Sequence, residues 1–218
     1  MIRFFDLLLS IAALLALSPL LILIIVILSL TGEREIFYKQ KRIGINGKDF
    51  FVLKFATMLK NSESIGSKTI TIKDDKRVLF FGKFLRKTKI NELPQIINII
   101  KGDISLVGPR PLVTKTFIAY NKEVQSKIYN VKPGLTGIGS IVFRDEESII
   151  SDVTDEDPHE FYKRVIAPYK GELEMWYQTH CSFLLDLQLI FMTAWVIMRP
   201  KSKLYEKWFK DLPKRSFY

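Results

Sequence analysis

The side chains best suited to chemistry in this sequence lie within one stretch, KTKINELPQIINIIKGDISLVGPRP at Lys87–Pro111. One group of polar residues recurs there at helical spacing, and its members are Asn91, Glu92, Gln95 and Asn98. Asn91 is predicted to cap a helix that Gly102 ends, with Pro94 in the first turn, where a missing N–H is tolerated. Because leucine and isoleucines occupy the opposite side, we expect one core face and one polar face that is free for chemistry.

A single arginine follows this helix between two prolines, in Pro109-Arg110-Pro111. The φ angle of Pro109 is fixed, and Pro111 restricts Arg110 to an extended conformation, so the guanidinium is presented from a stiff backbone. A stiffly held guanidinium suits bidentate binding of phosphate or carboxylate. The alternative is an ordinary arginine on a surface turn, and the polar helix face just before it favours the binding role.

These residues resemble a known family. The motifs that carry the resemblance are Glu92-Leu93-Pro94-Gln95, Lys101-Gly102-Asp103, Ser105 to Pro111 and Pro133-Gly134-Leu135-Thr136-Gly137. In this order they are similar to the bacterial sugar transferases, the monotopic polyprenyl-phosphate phosphoglycosyl transferases, in their small form with only the catalytic domain. The resemblance runs from the N-terminal apolar segment almost to the C-terminus.

The resemblance implies a reaction. A sugar-1-phosphate would pass from a UDP-sugar to undecaprenyl phosphate with release of UMP, as the first membrane step in assembling an O-antigen, capsule, exopolysaccharide or glycoprotein glycan. Because such a reaction joins two polyanions, cationic side chains and Mg2+ are expected to offset their charge. Asn91 and Glu92 take the catalytic positions, and the Mg2+ ligands are Glu92 and, as a weaker candidate, Asp103. The predicted phosphate- and substrate-binding residues are Arg110, Arg86, Lys101, Gln95, Gly134, Thr136 and Arg144.

The sequence departs from the family at two positions. Family members carry Asp-Glu where this chain has Asn91-Glu92, and there the aspartate is the nucleophile that forms a covalent phosphosugar intermediate. An asparagine amide cannot act so at neutral pH. Three accounts stay open: Glu92 or another carboxylate is the nucleophile, the lipid phosphate attacks directly, or Asn91 is a substitution for a nucleophilic aspartate. Ala56 also replaces the arginine usual in the family motif Lys-Phe-Arg-Ser/Thr-Met.

The N-terminal segment is expected to hold the protein at a membrane. Leu7–Leu30 carries no charged residue and is long enough to cross a hydrocarbon core of about 30 Å if it is straight. Ser18-Pro19 near its middle predicts a kink or break. Hydropathy does not separate a kinked spanning helix from a re-entrant helix-break-helix, and the resemblance implies the re-entrant form. The bias of Lys and Arg predicts that the rest of the chain lies on the cytoplasmic side of the membrane. The resemblance implies that this is the bacterial inner (plasma) membrane.

The remaining patterns complete the predicted fold. Asn46-Gly47 between two strand-like runs predicts a short β-hairpin. Segments that mix aromatic and basic residues, such as Val78–Ile90, predict interfacial amphipathic helices. The predicted fold class is therefore α/β and mainly helical, with a re-entrant membrane anchor over residues 1–32 and a membrane-associated cytoplasmic catalytic domain over residues 33–218.

A polar stretch separates the hairpin from these helices. Asn61–Lys68 is predicted to be a mobile loop and Thr69–Ile72 a short strand. The pair Asp74-Asp75, close to Lys76 and Arg77, is predicted to be a solvated charge cluster rather than a metal site.

The net charge of +10 favours anionic partners. UDP-sugar, undecaprenyl phosphate and the lipid bilayer are the predicted partners, while the apolar anchor and the lack of a nucleic-acid-binding module argue against nucleic acid. His159 and His180 lie at neither metal-ligand nor triad spacing. The runner-up function is a catalytically silent membrane-surface scaffold that binds nucleotide sugar or polyprenyl phosphate. The sequence predicts neither the sugar, nor the final glycan, nor the oligomeric state.

Overall fold

The computed structural model describes residues 2–62, 75–153 and 155–215. Its α-helices are α1 Ile2–Leu30, α2 Phe80–Lys87, α3 Gln95–Lys101, α4 Thr114–Phe117, α5 Lys122–Lys127, α6 Ile138–Val142, α7 Glu146–Ser151, α8 Pro158–Phe161, α9 Ala167–His180, α10 Phe183–Met198 and α11 Leu204–Trp208. Its strands are β1 Phe37–Ile43, β2 Asp49–Phe55, β3 Ser105–Val107 and β4 Gly134–Thr136. The segments Ile45–Gly47 and Ile90–Glu92 form 3-10 turns, and Tyr162–Ile166 forms a π-helical turn before α9. The prediction of a mainly helical chain with one short hairpin is confirmed.

The chain divides into two compact units. The first unit consists of Met1–Lys41 and Phe50–Asp103, and the second consists of Arg42–Asp49 and Ile104–Tyr218. The predicted hairpin is present, since β1 and β2 pair on either side of the turn at Ile45–Gly47. Asn46 and Gly47 both have positive φ there, which asparagine and glycine tolerate better than other residues.

Helix α1 supplies part of the core of the first unit. Ile24 and Leu28 are buried with Phe55 of β2 and Leu85 of α2 in one apolar cluster. At its other end, the Arg3 guanidinium donates to the carbonyls of Ile99 and Ile100, at 2.5 and 2.8 Å. A cation there also opposes the negative end of the α3 dipole. Helix α1 is thus packed against α2 and α3, and it is long and apolar enough to cross a membrane by length and composition alone.

The helical backbone continues through Pro19 from Ile2 to Leu30, so of the predicted kink or break at Ser18-Pro19 the break is absent and the kink stays a prediction. Proline has no N–H, so the carbonyl four residues earlier, that of Leu15, loses its usual donor. The Ser18 hydroxyl donates to this carbonyl at 2.8 Å. The side chain therefore replaces the lost backbone hydrogen bond. The path of α1 relative to a bilayer stays a prediction.

Of the acidic pair Asp74-Asp75, the structure describes only Asp75. Asp74, the predicted Thr69–Ile72 strand and most of the predicted loop lie outside the described residues. Asp75 is buried rather than solvated. The Arg77 Nε donates to its carboxylate at 2.9 Å, and Arg77 Nη1 donates to the Ser62 carbonyl at 2.8 Å. A buried ion pair with further hydrogen bonds replaces the predicted exposed cluster, because Arg77 can reach both the carboxylate and the backbone.

The second unit is built around α9 and α10. Helix α9 packs against α5, α6 and the π-helical turn, and α10 packs against α6, β3 and β4. One face of α10 is buried, through Leu185, Leu189, Met192 and Val196. Its other face is apolar but exposed, through Leu184, Leu187, Phe191 and Met198. An exposed apolar face of this kind is typical of a surface that meets another partner or a membrane.

Candidate active site

In the first unit, the residues before α3 form a compact turn. Lys89 has a φ of 60°, in the left-handed region, and the 3-10 turn at Ile90–Glu92 follows it. Helix α3 begins only at Gln95, after Pro94, and Asn91 makes no capping hydrogen bond. The predicted N-cap role of Asn91 is therefore wrong, since the left-handed Lys89 redirects the chain and the helix starts a turn later. The prediction that Gly102 ends the helix is confirmed by its φ of 92°.

Asn91 carries a buried polar atom without a hydrogen-bond partner among the described residues. This atom is Oδ1, and the side chain is 6% exposed. A buried polar atom left unpaired costs about 1–3 kcal/mol. Proteins retain such atoms mainly at functional sites or where a ligand completes them. Asn91 stands at the position for which the family resemblance predicts a nucleophile.

Glu92, the next residue, is paired with a cation. Its Oε1 lies 3.5 Å from Lys54 Nζ, and the Glu92 side chain is 14% exposed. Lys54 comes from β2, so the hairpin and the turn before α3 meet at this pair. A carboxylate beside an ammonium is favoured in its charged form. The arrangement thus keeps one anionic oxygen group beside the unpartnered Asn91.

The polar face of α3 is partly structural rather than open to substrate. Gln95 and Asn98 are both buried. Asn98 accepts from the Leu53 N–H at 2.9 Å and donates to the Phe51 carbonyl at 2.8 Å and to Asp103 Oδ2 at 2.9 Å. The amide thereby holds α3 against β2 and fixes the Asp103 carboxylate. The expectation of a face free for chemistry fails at Asn98.

The other two predicted residues of this unit lie on helices α3 and α2. Lys101 is exposed at the carboxyl end of α3, about 10 Å along the helix axis from its start at Gln95. Arg86 lies in the last turn of α2, and its Nη1 is 3.9 Å from Met58 Sδ. The structure therefore brings Asn91, Glu92 and Lys54 together and places Lys101 at the far end of the helix.

In the second unit, the two glycine-containing motifs form one structure. Strands β3 and β4 are parallel, with Ser105 opposite Gly134 and Val107 opposite Thr136. The Gly108 N–H donates to the Thr136 carbonyl, and the Gly134 N–H donates to the Pro109 carbonyl, both at 2.9 Å. A Cβ on Gly134 would collide with the Gly108 backbone, so the strands require glycine there. The Arg110 turn and the Gly134–Thr136 segment are thus adjacent.

The backbone around Arg110 is held on several sides. The Tyr129 hydroxyl donates to the Arg110 carbonyl at 2.9 Å and accepts from the Leu112 N–H at 2.8 Å. Arg42 Nη1 donates to the Pro111 carbonyl at 2.9 Å. Burial raises the pKa of the Tyr129 phenol far above its usual range, so it stays a donor at neutral pH. These hydrogen bonds add to the restriction that the two prolines place on the Arg110 backbone.

Arg144 is the predicted binding residue of the second unit that follows α6. It is partly buried after α6, and within the described chain its guanidinium makes no hydrogen bond and no ion pair. Burial lowers its pKa from the usual arginine value, with no carboxylate acting against this effect. A partly desolvated guanidinium without a counter-ion is a natural site for an anionic ligand. Thr136, by contrast, already shares a hydrogen bond of 2.7 Å with Thr193.

The sequence analysis missed a group of buried charges on α9. Lys170 and Glu174 are 3% and 2% exposed, and Lys170 forms an ion pair with Glu146. Burial raises the pKa of Glu174 to about 7, although the charges of Lys170 and Arg110 oppose this effect. Lys170 and Glu174 stand four residues apart, as a surface pair would, so their spacing alone does not indicate burial.

Comparison with known proteins assigns the family. The family described as "Bacterial sugar transferase" matches residues 1–200. The chain belongs to this family. It is 36% identical over 192 residues to "Uncharacterized sugar transferase EpsL" of Bacillus subtilis, with 88% of this chain and 84% of the relative covered. It is 35% identical over 205 residues to "Exopolysaccharide production protein ExoY" of Sinorhizobium fredii, with 88% and 82% covered. A third relative, from Aeromonas hydrophila, is "UDP-N-acetylgalactosamine-undecaprenyl-phosphate N-acetylgalactosaminephosphotransferase", 32% identical with 90% and 43% covered.

The close contact at Gly134 gives a first prediction. Gly134→Ala is expected to lower the melting temperature of the detergent-solubilised protein by about 5 °C or more, because the methyl group would force β3 and β4 apart. Gly47→Asn is the control, since Gly47 has open space around it and asparagine tolerates its positive φ. Equal melting temperatures for the two variants would contradict the tight strand pair.

Proposed function

We propose that the protein transfers a sugar-1-phosphate from a UDP-sugar to undecaprenyl phosphate and releases UMP, as an early membrane step of polysaccharide assembly. Family membership supports this activity, since relatives carry names such as "UDP-glucose:undecaprenyl-phosphate glucose-1-phosphate transferase", 30% identical over 200 residues. The single observation that carries the proposal is the Arg110 turn, braced on its carbonyl side and paired with the glycine-containing strand β4. That geometry suits a phosphate better than a surface turn would.

The chemistry requires one phosphorus–oxygen bond to form and one to break. A nucleophilic oxygen attacks the phosphorus that bears the sugar. The bond from this phosphorus to the oxygen that bridges the two phosphates breaks, and that oxygen leaves with the electron pair as part of UMP. Arg110 is proposed to bind the phosphate oxygens through two N–H groups. Arg144 is proposed to bind a further phosphate oxygen, which would supply the negative charge that the surroundings of Arg144 lack. Gly134 and Thr136 contribute backbone close to the Arg110 turn, where no side chain bulk intervenes.

The nucleophile is the open point. The Asn91 amide cannot attack at neutral pH, which leaves the Glu92 carboxylate or the lipid phosphate itself. A Glu92 route would release one equivalent of UMP from UDP-sugar before any lipid is added, whereas direct attack would release none. Rapid-quench measurement of UMP with and without undecaprenyl phosphate distinguishes the two routes.

Mg2+ is proposed to bind at Glu92. No group of three or more metal-binding side chains occurs among the described residues, but Mg2+ is commonly held by one or two carboxylates together with substrate phosphates. The Glu92 carboxylate and the unpartnered Asn91 Oδ1 are oxygen donors of the kind that this ion takes. Asp103 follows the opposite end of α3 and is bonded to Asn98, so it is assigned a structural role. When bound, Mg2+ would neutralise charge on the phosphates.

The membrane placement is part of the same proposal. Helix α1 enters the bilayer, the exposed apolar face of α10 lies against its surface, and both ends of α1 stay on the cytoplasmic face. The re-entrant path is what the family resemblance implies. The test uses the variants Ile2→Cys and Thr31→Cys in a Cys181→Ser background, in inside-out vesicles that expose the cytoplasmic face. The two new cysteines are expected to react equally with an impermeant maleimide. Protection of one of the two would indicate a spanning helix instead.

The decisive experiment measures UMP release by the purified, detergent-solubilised protein with undecaprenyl phosphate, Mg2+ and a panel of UDP-sugars. Release that requires both the lipid and Mg2+ is expected for at least one sugar. Omission of the lipid and addition of EDTA are the controls. Binding of both substrates without any release would favour the catalytically silent scaffold.

A further inference from the structure

The buried charges of α9 have no part in the function as described so far. Lys170 and Glu174 lie one turn apart on a face of α9 that is closed to solvent. A charged group in such surroundings is strongly destabilising unless other charges or hydrogen bonds compensate it. Their partners therefore show what this face of the helix holds in place.

Lys170 is bound to the segment that carries Arg144. Its ammonium forms an ion pair with Glu146, in the first turn of α7. It also lies 5.4 Å from the centre of the Phe143 ring and 5.9 Å from that of Tyr162. Residues on both sides of Arg144 are thus fixed to one buried cation.

Glu174 is bound to the segment that carries Arg110. The backbone N–H of Arg110 donates to the Glu174 carboxylate, and the charge of Arg110 also acts on it. A Cβ at Gly139 would collide with Glu174 Oε1, so the carboxylate packs directly on the backbone at the start of α6. Its second oxygen, Oε2, is buried with no hydrogen-bond partner in the described chain.

These contacts complete the bracing of the Arg110 turn. The Tyr129 hydroxyl holds the Arg110 carbonyl, and Glu174 holds the Arg110 N–H. Side chains therefore hold both the N–H and the carbonyl of Arg110. The direction in which the Arg110 guanidinium projects depends on these two contacts. Preorganised donors bind anions more tightly because less conformational entropy is lost on binding.

We propose that Glu174 is a positioning residue, which orients Arg110 through its backbone N–H for binding the phosphates of the substrate, while Lys170 does the same for the Arg144 segment through Glu146. The inference rests on the proposed function for the identity of the anion. The bracing of Arg110 by Glu174 can be tested without turnover.

The first test observes the Arg110 amide directly by NMR of detergent-solubilised protein labelled with 15N-arginine, with Arg110→Lys used to assign the signal. Glu174 is expected to titrate near pH 7, and the Arg110 amide should shift with it. Besides Arg110, the groups that sense Glu174 are Lys170, Tyr120 and Tyr129. In Glu174→Gln the shift should vanish, whereas in Glu172→Gln, an exposed glutamate on the same helix, it should persist. An Arg110 amide that titrates alike in Glu174→Gln would overturn the proposal.

The burial of Glu174 should also make the stability of the protein depend on pH. The Glu174 pKa is raised in the folded protein, so the native state binds a proton that the unfolded chain releases between about pH 4.5 and 7. Wild-type stability should therefore fall relative to Glu174→Gln as the pH rises through this window. If the melting temperatures of the wild type and Glu174→Gln differed by the same amount at every pH in this window, a buried Glu174 carboxylate would be contradicted.

The second test measures the dissociation constant of UDP at pH 8 by calorimetry. Glu174→Gln is expected to weaken UDP binding about fivefold or more with a melting temperature close to that of wild type, and Glu172→Gln to leave both unchanged. Unaltered UDP affinity in Glu174→Gln would sink the proposal, as would an affinity loss matched by unfolding. A wild-type protein that binds UDP but releases no UMP would refute the transferase activity alone. A wild-type protein that binds no UDP would also refute the transferase activity. The titration of the Arg110 amide would then still decide whether Glu174 positions Arg110.

Discussion

Asn91→Asp is expected to raise the turnover number about tenfold or more, since a carboxylate would replace an amide that cannot act as a nucleophile. The family resemblance predicts an aspartate at this position, and the Asn91 Oδ1 is buried without a partner among the described residues, so no protein donor would be displaced. The substituted carboxylate should also release one equivalent of UMP from UDP-sugar in the absence of lipid. Rapid-quench assays of UMP measure both effects.

Asn98→Asp is the matched control for this variant. Asn98 lies on the adjacent helix and is equally buried, but its amide is engaged by the β2 backbone and Asp103. A carboxylate there should lose the hydrogen bonds that the amide donates and should not raise turnover. If Asn91→Asp turned over at the wild-type rate or below it, the native chemistry would not depend on a nucleophile at this position. Glu92 or direct attack by the lipid phosphate would then remain.

Arg110→Lys is expected to lower kcat/KM about 100-fold, which corresponds to roughly 2.7 kcal/mol of lost transition-state binding. Lysine keeps the charge but loses the planar pair of donors, so the effect isolates bidentate geometry from charge. The backbone contacts of residue 110 to Tyr129 and Glu174 do not involve the guanidinium, and the fold should survive.

Arg164→Lys provides the comparison for this second variant. Arg164 is a largely exposed arginine of the same unit, paired with Glu156, so its replacement should leave kcat/KM within about twofold of wild type. Melting temperatures of both variants check that they are folded. A loss of less than about fivefold in Arg110→Lys would mean that Arg110 acts only as a point charge or not at all.

Local patterns were sufficient where the structure is determined locally. The hairpin at Asn46-Gly47 and the end of α3 at Gly102 both follow from short-range spacing. These patterns failed where the backbone conformation of a neighbouring residue overrides side-chain propensity. Asn91 has the propensity of an N-cap, but the left-handed Lys89 moves the helix start to Gln95.

Tertiary partners explain the rest of what the sequence did not reveal about the site. The pairing of β3 with β4 joins motifs that are distant in the chain, although the glycines in both are consistent with such a close approach. Lys170 and Glu174 have the spacing of an exposed ion pair, and only contacts to residues 110, 139 and 146 show that they are buried. The roles of Arg110, Arg144 and Glu92 remain predictions until the variants are assayed.

The packing of α1 has a practical consequence for protein production. Ile24 and Leu28 form one wall of the cluster that contains Phe55 and Leu85, and Arg3 covers the carbonyl end of α3. A shortened version without α1, made for solubility, would open this cluster to water and leave the end of α3 uncapped. Such a fragment should aggregate rather than yield a soluble enzyme, and purification should keep α1 within detergent or a lipid nanodisc.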